Sequence, residues 1–311
     1  MGRPVAELRL EDVAEGTNSR ARITARFADC DECVALFVKR EGRVLNRLAL
    51  TALGARESEA DLARHGVELP VEHPAFYAGA VDRRRLAAVV VMEDVTGRGA
   101  RPNNAARPLT VSAVASGLDE LAALHAAYWC RPLPGFVRAW RVGRPWAAVA
   151  WVGLLRARRK LRRLGQPLDV ELADIEHGFR GWAALAQRGP QTLLHGDPHP
   201  GNTYAIGAGT GFYDWQLVRR GSWVHDVGYF MVSSLTVADR RTHERDLLAG
   251  YLDTLARHTG DRPRDAWPQY CATPVYGLGA WLQAIAAGTF QPADTCLVAI
   301  ERFVAAYRDL H

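Results

Sequence analysis

Residues 194–202 read Leu-His-Gly-Asp-Pro-His-Pro-Gly-Asn, and Asp214-Trp215-Gln216 follows after eleven more residues. The groups in this window that could do chemistry are Asp197, Asn202, Asp214 and His195. An Asp can accept the proton of an attacking hydroxyl. An Asn five residues on, and an Asp beyond the next strand pair, can hold the divalent cations that neutralise a phosphate chain. Here Asp197 and Asn202 are five residues apart and Asp214 lies twelve beyond Asn202. Residues 203–213 form an apolar run, a glycine-rich turn and a second apolar run, which predicts a hairpin that returns Asp214 to the side of Asn202. The chemistry so specified is phosphoryl transfer, with Asp197 as base and Asn202 and Asp214 as Mg²⁺ ligands.

Two plainer readings compete for the same residues. Pro and Gly could merely punctuate a polar turn. Alternatively His195 and His199, with Asp197 and Asp214, could hold the metal of a hydrolase. Histidines four apart align as ligands on a helix, and Pro198 and Pro200 oppose a regular helix there. A hydrolase would also leave the features upstream without a task.

Those features begin with a lysine. Only Lys39 and Lys160 are lysines among 39 basic residues. Lys39 ends the apolar run Val34-Ala35-Leu36-Phe37-Val38, a strand that would set its ammonium under the α and β phosphates of a nucleotide. A compact point charge suits that slot better than a planar guanidinium. Residues 52–64 have helix-forming composition and offer Glu57, Glu59 and Asp61 as an acidic partner. Periodicity does not separate Glu57 from Glu59; Glu57 is the preferred partner.

Between two expected strands, 5–13 and 21–27, the segment Glu15-Gly16-Thr17-Asn18-Ser19-Arg20 could close over phosphates through backbone N–H groups and hydroxyls. It equally has the composition of a hairpin turn. Residues 86–92 read as a buried strand that runs into Glu93-Asp94-Val95, followed by a Gly-, Arg-, Pro- and Asn-rich linker at 97–108. From Val111 the apolar residues recur at helical spacing, with His125 inside the stripe as a hydrogen-bonded core residue.

The order of these pieces resembles the aminoglycoside phosphotransferase and choline kinase superfamily, and Asp214-Trp215-Gln216 is most similar to its ecdysteroid-kinase-like branch. The resemblance spans essentially the whole chain. It implies an α+β, two-lobed protein-kinase-like fold: a small antiparallel β-sheet lobe (1–95) that binds nucleotide, and a larger helical lobe (96–311) with the catalytic loop and acceptor pocket. It implies that Lys39, anchored by Glu57, binds phosphates of ATP, or of GTP in its place, with Gly16 and Ser19 covering them. Backbone groups at Glu93 and Val95 would meet the base. Asp197 would deprotonate the hydroxyl of a small-molecule acceptor, and Asn202 and Asp214 would hold Mg²⁺. His195 would support the catalytic loop, and Asp226 would hydrogen-bond its backbone. A nucleotide-binding pseudokinase is the alternative that this resemblance leaves open.

Composition agrees with a two-lobed globular chain. There are 311 residues, 48% hydrophobic and 23% charged, an ordinary globular balance. The first dozen residues lack the apolar stretch of a signal peptide, and no run approaches the ~18 apolar residues of a membrane span. Five scattered cysteines suggest reduced thiols and a cytoplasmic location; Cys30 and Cys33 have metal-half-site spacing but no second pair nearby. The net charge of +5 comes from one segment: residues 154–164 carry six basic groups and no acid, and without them 33 basic residues face 34 acidic ones. That segment reads as an amphipathic basic helix with a solvated face. No aromatic-interleaved basic groove of a nucleic-acid binder is present. Tryptophans at 140, 146, 151, 182 and 281 could wall an acceptor pocket or pack the core, and Asp253, Asp294 and Glu301 are candidate partners for a cationic acceptor.

Overall fold

The computed structural model describes residues 4–15, 18–29, 33–41, 57–139 and 144–311. Its first part is an antiparallel sheet of five strands: β1 (Val5–Glu15), β2 (Asn18–Phe27), β3 (Cys33–Glu41), β4 (Phe76–Asp82) and β5 (Ala87–Glu93), in the order β1-β2-β3-β5-β4. β1 and β2 form a hairpin with only residues 16 and 17 between them. Helix α1 (Ser58–His65) packs on β4 and β5. It carries Glu59 and Asp61 in its first turn and Arg64 and His65 in its last, the charge order that the helix dipole favours. Its approach to the sheet is close. A Cβ at Gly79 of β4 would stand 2.1 Å from the carbonyl oxygen of Ala60, so only glycine lets helix and strand meet.

The second part is mainly helical. Its long elements are α2 (Val111–Ala127), α3 (Arg144–Arg163), α4 (Leu172–Ala186), α5 (Val224–Ser234), α6 (Val237–Thr259), α7 (Ala266–Cys271), α8 (Pro274–Ala287) and α9 (Ala293–Leu310). Starts are fixed locally: Thr110 Oγ1 accepts the Ala113 N–H at 3.2 Å, and Thr236 Oγ1 accepts that of Asp239 at 3.0 Å, each an N-cap. The expected stripe on α2 is buried at Val114, Leu118, Leu121 and Leu124. α5 is buried along its full length, and Phe230, Phe303, Leu278 and Tyr251 fill the core around it. Leu62 of α1 belongs to the same core. Burying such a side chain contributes roughly 1.5–3 kcal/mol, so α1 is tied to the helical part as well as to the sheet.

Five short strands form two small further sheets. β7 (Thr192–Leu194) pairs with β10 (Arg219–Gly221). β8 (Thr203–Ile206) and β9 (Gly209–Phe212) form the expected hairpin, with Thr203 opposite Phe212; β6 (Arg101–Pro102) adds to β8. The architecture is the expected α+β, kinase-like arrangement of an antiparallel sheet and a helical part. Among the described residues no helix is long and apolar enough to cross a membrane.

Candidate active site

β7 delivers the loop His195–Asn202, and its shape is set by buried hydrogen bonds. Asp226, on the first turn of α5, accepts the backbone N–H of His195 on Oδ2 (2.7 Å) and that of Gly196 on Oδ1 (3.0 Å). His125 Nε2 lies 3.2 Å from Asp226 Oδ2, and its Nδ1 2.7 Å from the Tyr251 hydroxyl, so His125 is the core residue its periodicity indicated. The loop turns at Gly196, where φ is +85° and a Cβ would sit 2.1 Å from the Leu217 carbonyl oxygen. No other residue fits there.

The same bonds settle the role of the histidines. His195 Nε2 donates to the Tyr213 carbonyl at 3.1 Å, while Nδ1 accepts the Asp197 N–H at 3.3 Å. One neutral tautomer satisfies both contacts, and burial holds the ring below the usual histidine range. Both nitrogens are used, which removes His195 from any metal site. His199 accepts the Gly201 N–H on Nδ1 at 3.0 Å, stacks edge-on against Trp281, and is pushed by burial down to about 4. The hydrolase ligand set is therefore not assembled. These rings are loop supports.

The Asp197 side chain is 21% exposed, so one side of it is open to solvent. Burial, and the Asp214 charge after it, push the Asp197 carboxyl up to about 8, against the opposing influence of Tyr229, Arg219 and Asn202. The Asn202 amide nitrogen donates to the Asp197 carbonyl (2.9 Å) and to Asp197 Oδ2 (3.1 Å). That orientation leaves the Asn202 Oδ1 available to a cation. The β8–β9 hairpin brings Asp214 back as expected, with the Tyr213 N–H on the Asn202 carbonyl at 3.1 Å. Asp214 has φ +66° and ψ +63°, a left-handed conformation that Asp tolerates better than most residues. An amide oxygen and a carboxylate are hard donors of the kind Mg²⁺ takes, so the residues present fit the expected ion.

Lys39, on β3, is buried, bonded through Nζ to Asp214 Oδ1 and lying 2.9 Å from Glu59 Oε2. Burial pulls the ammonium down, yet Asp214 and Glu59 outweigh it and hold Lys39 above its ordinary value. Burial raises Asp214 in turn, and Lys39 more than reverses this, so its carboxyl lies below the usual range. Glu59 uses its other oxygen, Oε1, to accept the Trp215 N–H at 2.9 Å.

The expected partner of Lys39 thus changes. Glu57 is the cap residue before α1 and bonds Arg83 Nε at 2.9 Å; Glu59, one full residue into the helix, faces the lysine. Ser19 is also displaced from its expected place. In the β2–β3 register Ser19 is opposite Arg40 and Arg20 opposite Lys39, so the face carrying Lys39 receives Arg20, because side chains alternate along a strand. Gly16, Cys30 and Trp140 lie outside the described residues. At the end of β5, Glu93 binds Arg98 (2.5 Å) and the Ala75 N–H (3.1 Å) through its side chain, and Val95 is buried. Asp94 lies between them, with Oδ2 3.0 Å from Arg22 Nε. Asp253, Asp294 and Glu301 are all exposed, and Asp253 pairs with Arg262.

Sequence reasoning missed Arg20 and Arg22. Their positions opposite Lys39 and Phe37 follow from the strand register, and the alternation of arginines at 20, 22 and 26 was the signal that one face of β2 is cationic.

Comparison with known proteins agrees with this fold. The chain resembles a crystal structure of a putative aminoglycoside phosphotransferase from Ralstonia eutropha JMP134, with 15% identity, a TM-score of 0.55, and 98% of this chain and 92% of the other covered. It also resembles choline kinase from Cryptosporidium parvum Iowa II (9% identity, TM-score 0.54, 97% and 88% covered). A microcompartment-associated aminopropanol kinase gives 14% identity and a TM-score of 0.52, with 97% and 90% covered. At these identities the likeness is one of fold. No curated protein sequence matches the chain. The profile of the phosphotransferase enzyme family, however, matches residues 26–268, a span that holds Lys39, Glu59, Asp197, Asn202, Asp214 and Asp226; the chain belongs to the phosphotransferase enzyme family.

Proposed function

We propose that this phosphotransferase moves the γ-phosphoryl group of ATP directly to a hydroxyl of a small molecule. The observation that carries the proposal is the joint placement of Lys39, Glu59 and Asp214, linked by ion pairs, beside Asp197 and Asn202 of the loop that the β8–β9 hairpin joins to Asp214. ATP lies between the sheet part (1–95) and the helical part (96–311), its base near the backbone of Glu93 and Val95. Lys39 holds the α and β phosphates as a point charge, and Glu59 keeps its ammonium in position. Asn202 Oδ1 and the Asp214 carboxylate would hold Mg²⁺, which would supply positive charge to neutralise the phosphoryl oxygens.

Asp197 orients the acceptor hydroxyl and takes its proton. Burial and the Asp214 charge raise the proton affinity of this carboxylate, and a divalent cation bound beside it would draw it back toward its ionised form. Transfer is in line and needs no covalent enzyme intermediate. The named neighbours include kinases of aminoglycosides, choline and aminopropanol, which supports an acceptor that is a small alcohol; the Asp214-Trp215-Gln216 triplet favours the ecdysteroid-kinase-like branch. The test is nucleotide binding in two variants. Asp197→Ala should bind Mg·ATP like the parent and fail to turn over, whereas Asp214→Asn should bind it more weakly. Equal affinity in both would refute the division of roles.

A further inference from the structure

We infer that Arg20 is a second phosphate-binding cation, supplied by β2 beside Lys39 and aimed at the distal phosphates of the nucleotide. The inference rests on the phosphotransferase reading of the same cleft. Arg20 and Lys39 are register partners on adjacent strands, so both side chains leave the same face of the sheet at the same level. Lys39 occupies Asp214 Oδ1, and the Arg20 guanidinium (Nη2) stands 3.9 Å from Asp214 Oδ2. That gap is longer than a hydrogen bond, and the Arg20 side chain is 45% exposed. Its neighbour on the same face behaves differently: Arg22 is held at 3.0 Å by Asp94. Arg20 is therefore the cation poised at the metal-binding carboxylate without being committed to it.

A divalent cation held by Asp214 would compete with Arg20 for this carboxylate, and Arg20 would be freed from the weak attraction that holds it there. The phosphate oxygens of a bound nucleotide would then be its nearest new anions. A guanidinium offers two parallel donors to such oxygens. The sequence between β1 and β2 offers a single glycine, Gly16, and Arg20, the third residue of β2, supplies charge beside Lys39.

The experiment is equilibrium binding of ATP, ADP and AMP, each with Mg²⁺, to the full chain and to its Arg20→Gln and Arg20→Lys variants. Arg20→Gln should bind ATP about tenfold or more weakly, as expected for losing a charge-assisted contact, ADP with a smaller loss, and AMP as the parent does. Arg20→Lys should recover part of the loss, and all three proteins should melt alike without nucleotide. Unchanged ATP affinity in Arg20→Gln, or an equal loss for all three nucleotides, overturns the assignment. A parent chain that binds none of the three overturns the phosphotransferase reading itself, which is a different outcome.

Discussion

Lys39 Nζ and Glu59 Oε2 stand 2.9 Å apart, and the second oxygen of Glu59 holds the backbone N–H of Trp215 at 2.9 Å. One carboxylate thus joins β3, α1 and the segment that carries Asp214. Lys39 and Asp214 are set relative to each other by the position of a single helix. In the kinase template this pairing must be in place for transfer, and here it is formed.

The consequence is a contrast between two neighbouring acids. Glu59→Gln should lower kcat/KM by at least about tenfold, because a buried charge-assisted contact is lost and Lys39 is left to Asp214 alone. Glu57→Gln changes a contact with Arg83, whose side chain is 63% exposed, and such pairs are worth about 0–1 kcal/mol. Steady-state kinetics of the two variants decide the matter; a Glu57→Gln defect as large as that of Glu59→Gln would contradict it.

Why the sequence misdirected that choice is physical. Both acids lie in a helix-forming stretch, and their rotation about the axis depends on where the helix begins. It is described from Ser58, which makes Glu57 a cap residue, and no local signal announces that start. The catalytic loop was legible for the opposite reason. Asp197, Asn202 and Asp214 lie within eighteen residues, so a tight loop and one hairpin bring them together with little help from elsewhere. Arg20 was hidden because its meaning lies in a cross-strand register with Lys39, and register follows from the turn between strands and from packing.

Asp226 should be the most costly polar residue to lose. It is fully buried and accepts two backbone N–H groups of the catalytic loop while facing His125. Asp226→Ala leaves those donors unsatisfied, at about 3–5 kcal/mol, which corresponds to a melting temperature lower by on the order of 10 °C. Asp226→Asn should also destabilise the protein, since its amide nitrogen would confront one of the donors. Thermal melts of both variants within a degree or two of the parent would show that the loop is held by other means.

The protein should lose stability in mild acid. His225 donates from Nε2 to the Gly196 carbonyl at 3.1 Å, while its Nδ1 is buried without a partner. Burial pushes the ring down to about 4 from its ordinary 6.5. Above pH 6.5 the ring is neutral in both folded and unfolded chains, and stability is intact. As pH falls from 6.5 towards 4 the unfolded chain takes a proton that the folded one refuses, a loss of up to roughly 3 kcal/mol. His225→Gln keeps a donor for Gly196 and should flatten the decline in melting temperature between pH 7 and pH 5. An unchanged slope would place the acid sensitivity elsewhere.

The central claim is transfer to a hydroxyl with Asp197 as base, and ADP release tests it most directly. The assay couples Mg·ATP consumption to a panel of hydroxylated small molecules (aminoglycosides, amino alcohols, sugars, steroid-like alcohols), with Asp197→Ala as the comparison. Acceptor-dependent ADP release in the parent that is absent from Asp197→Ala, with nucleotide binding retained, is the predicted result. Acceptor-dependent release that persists at the parental rate in Asp197→Ala would contradict the account.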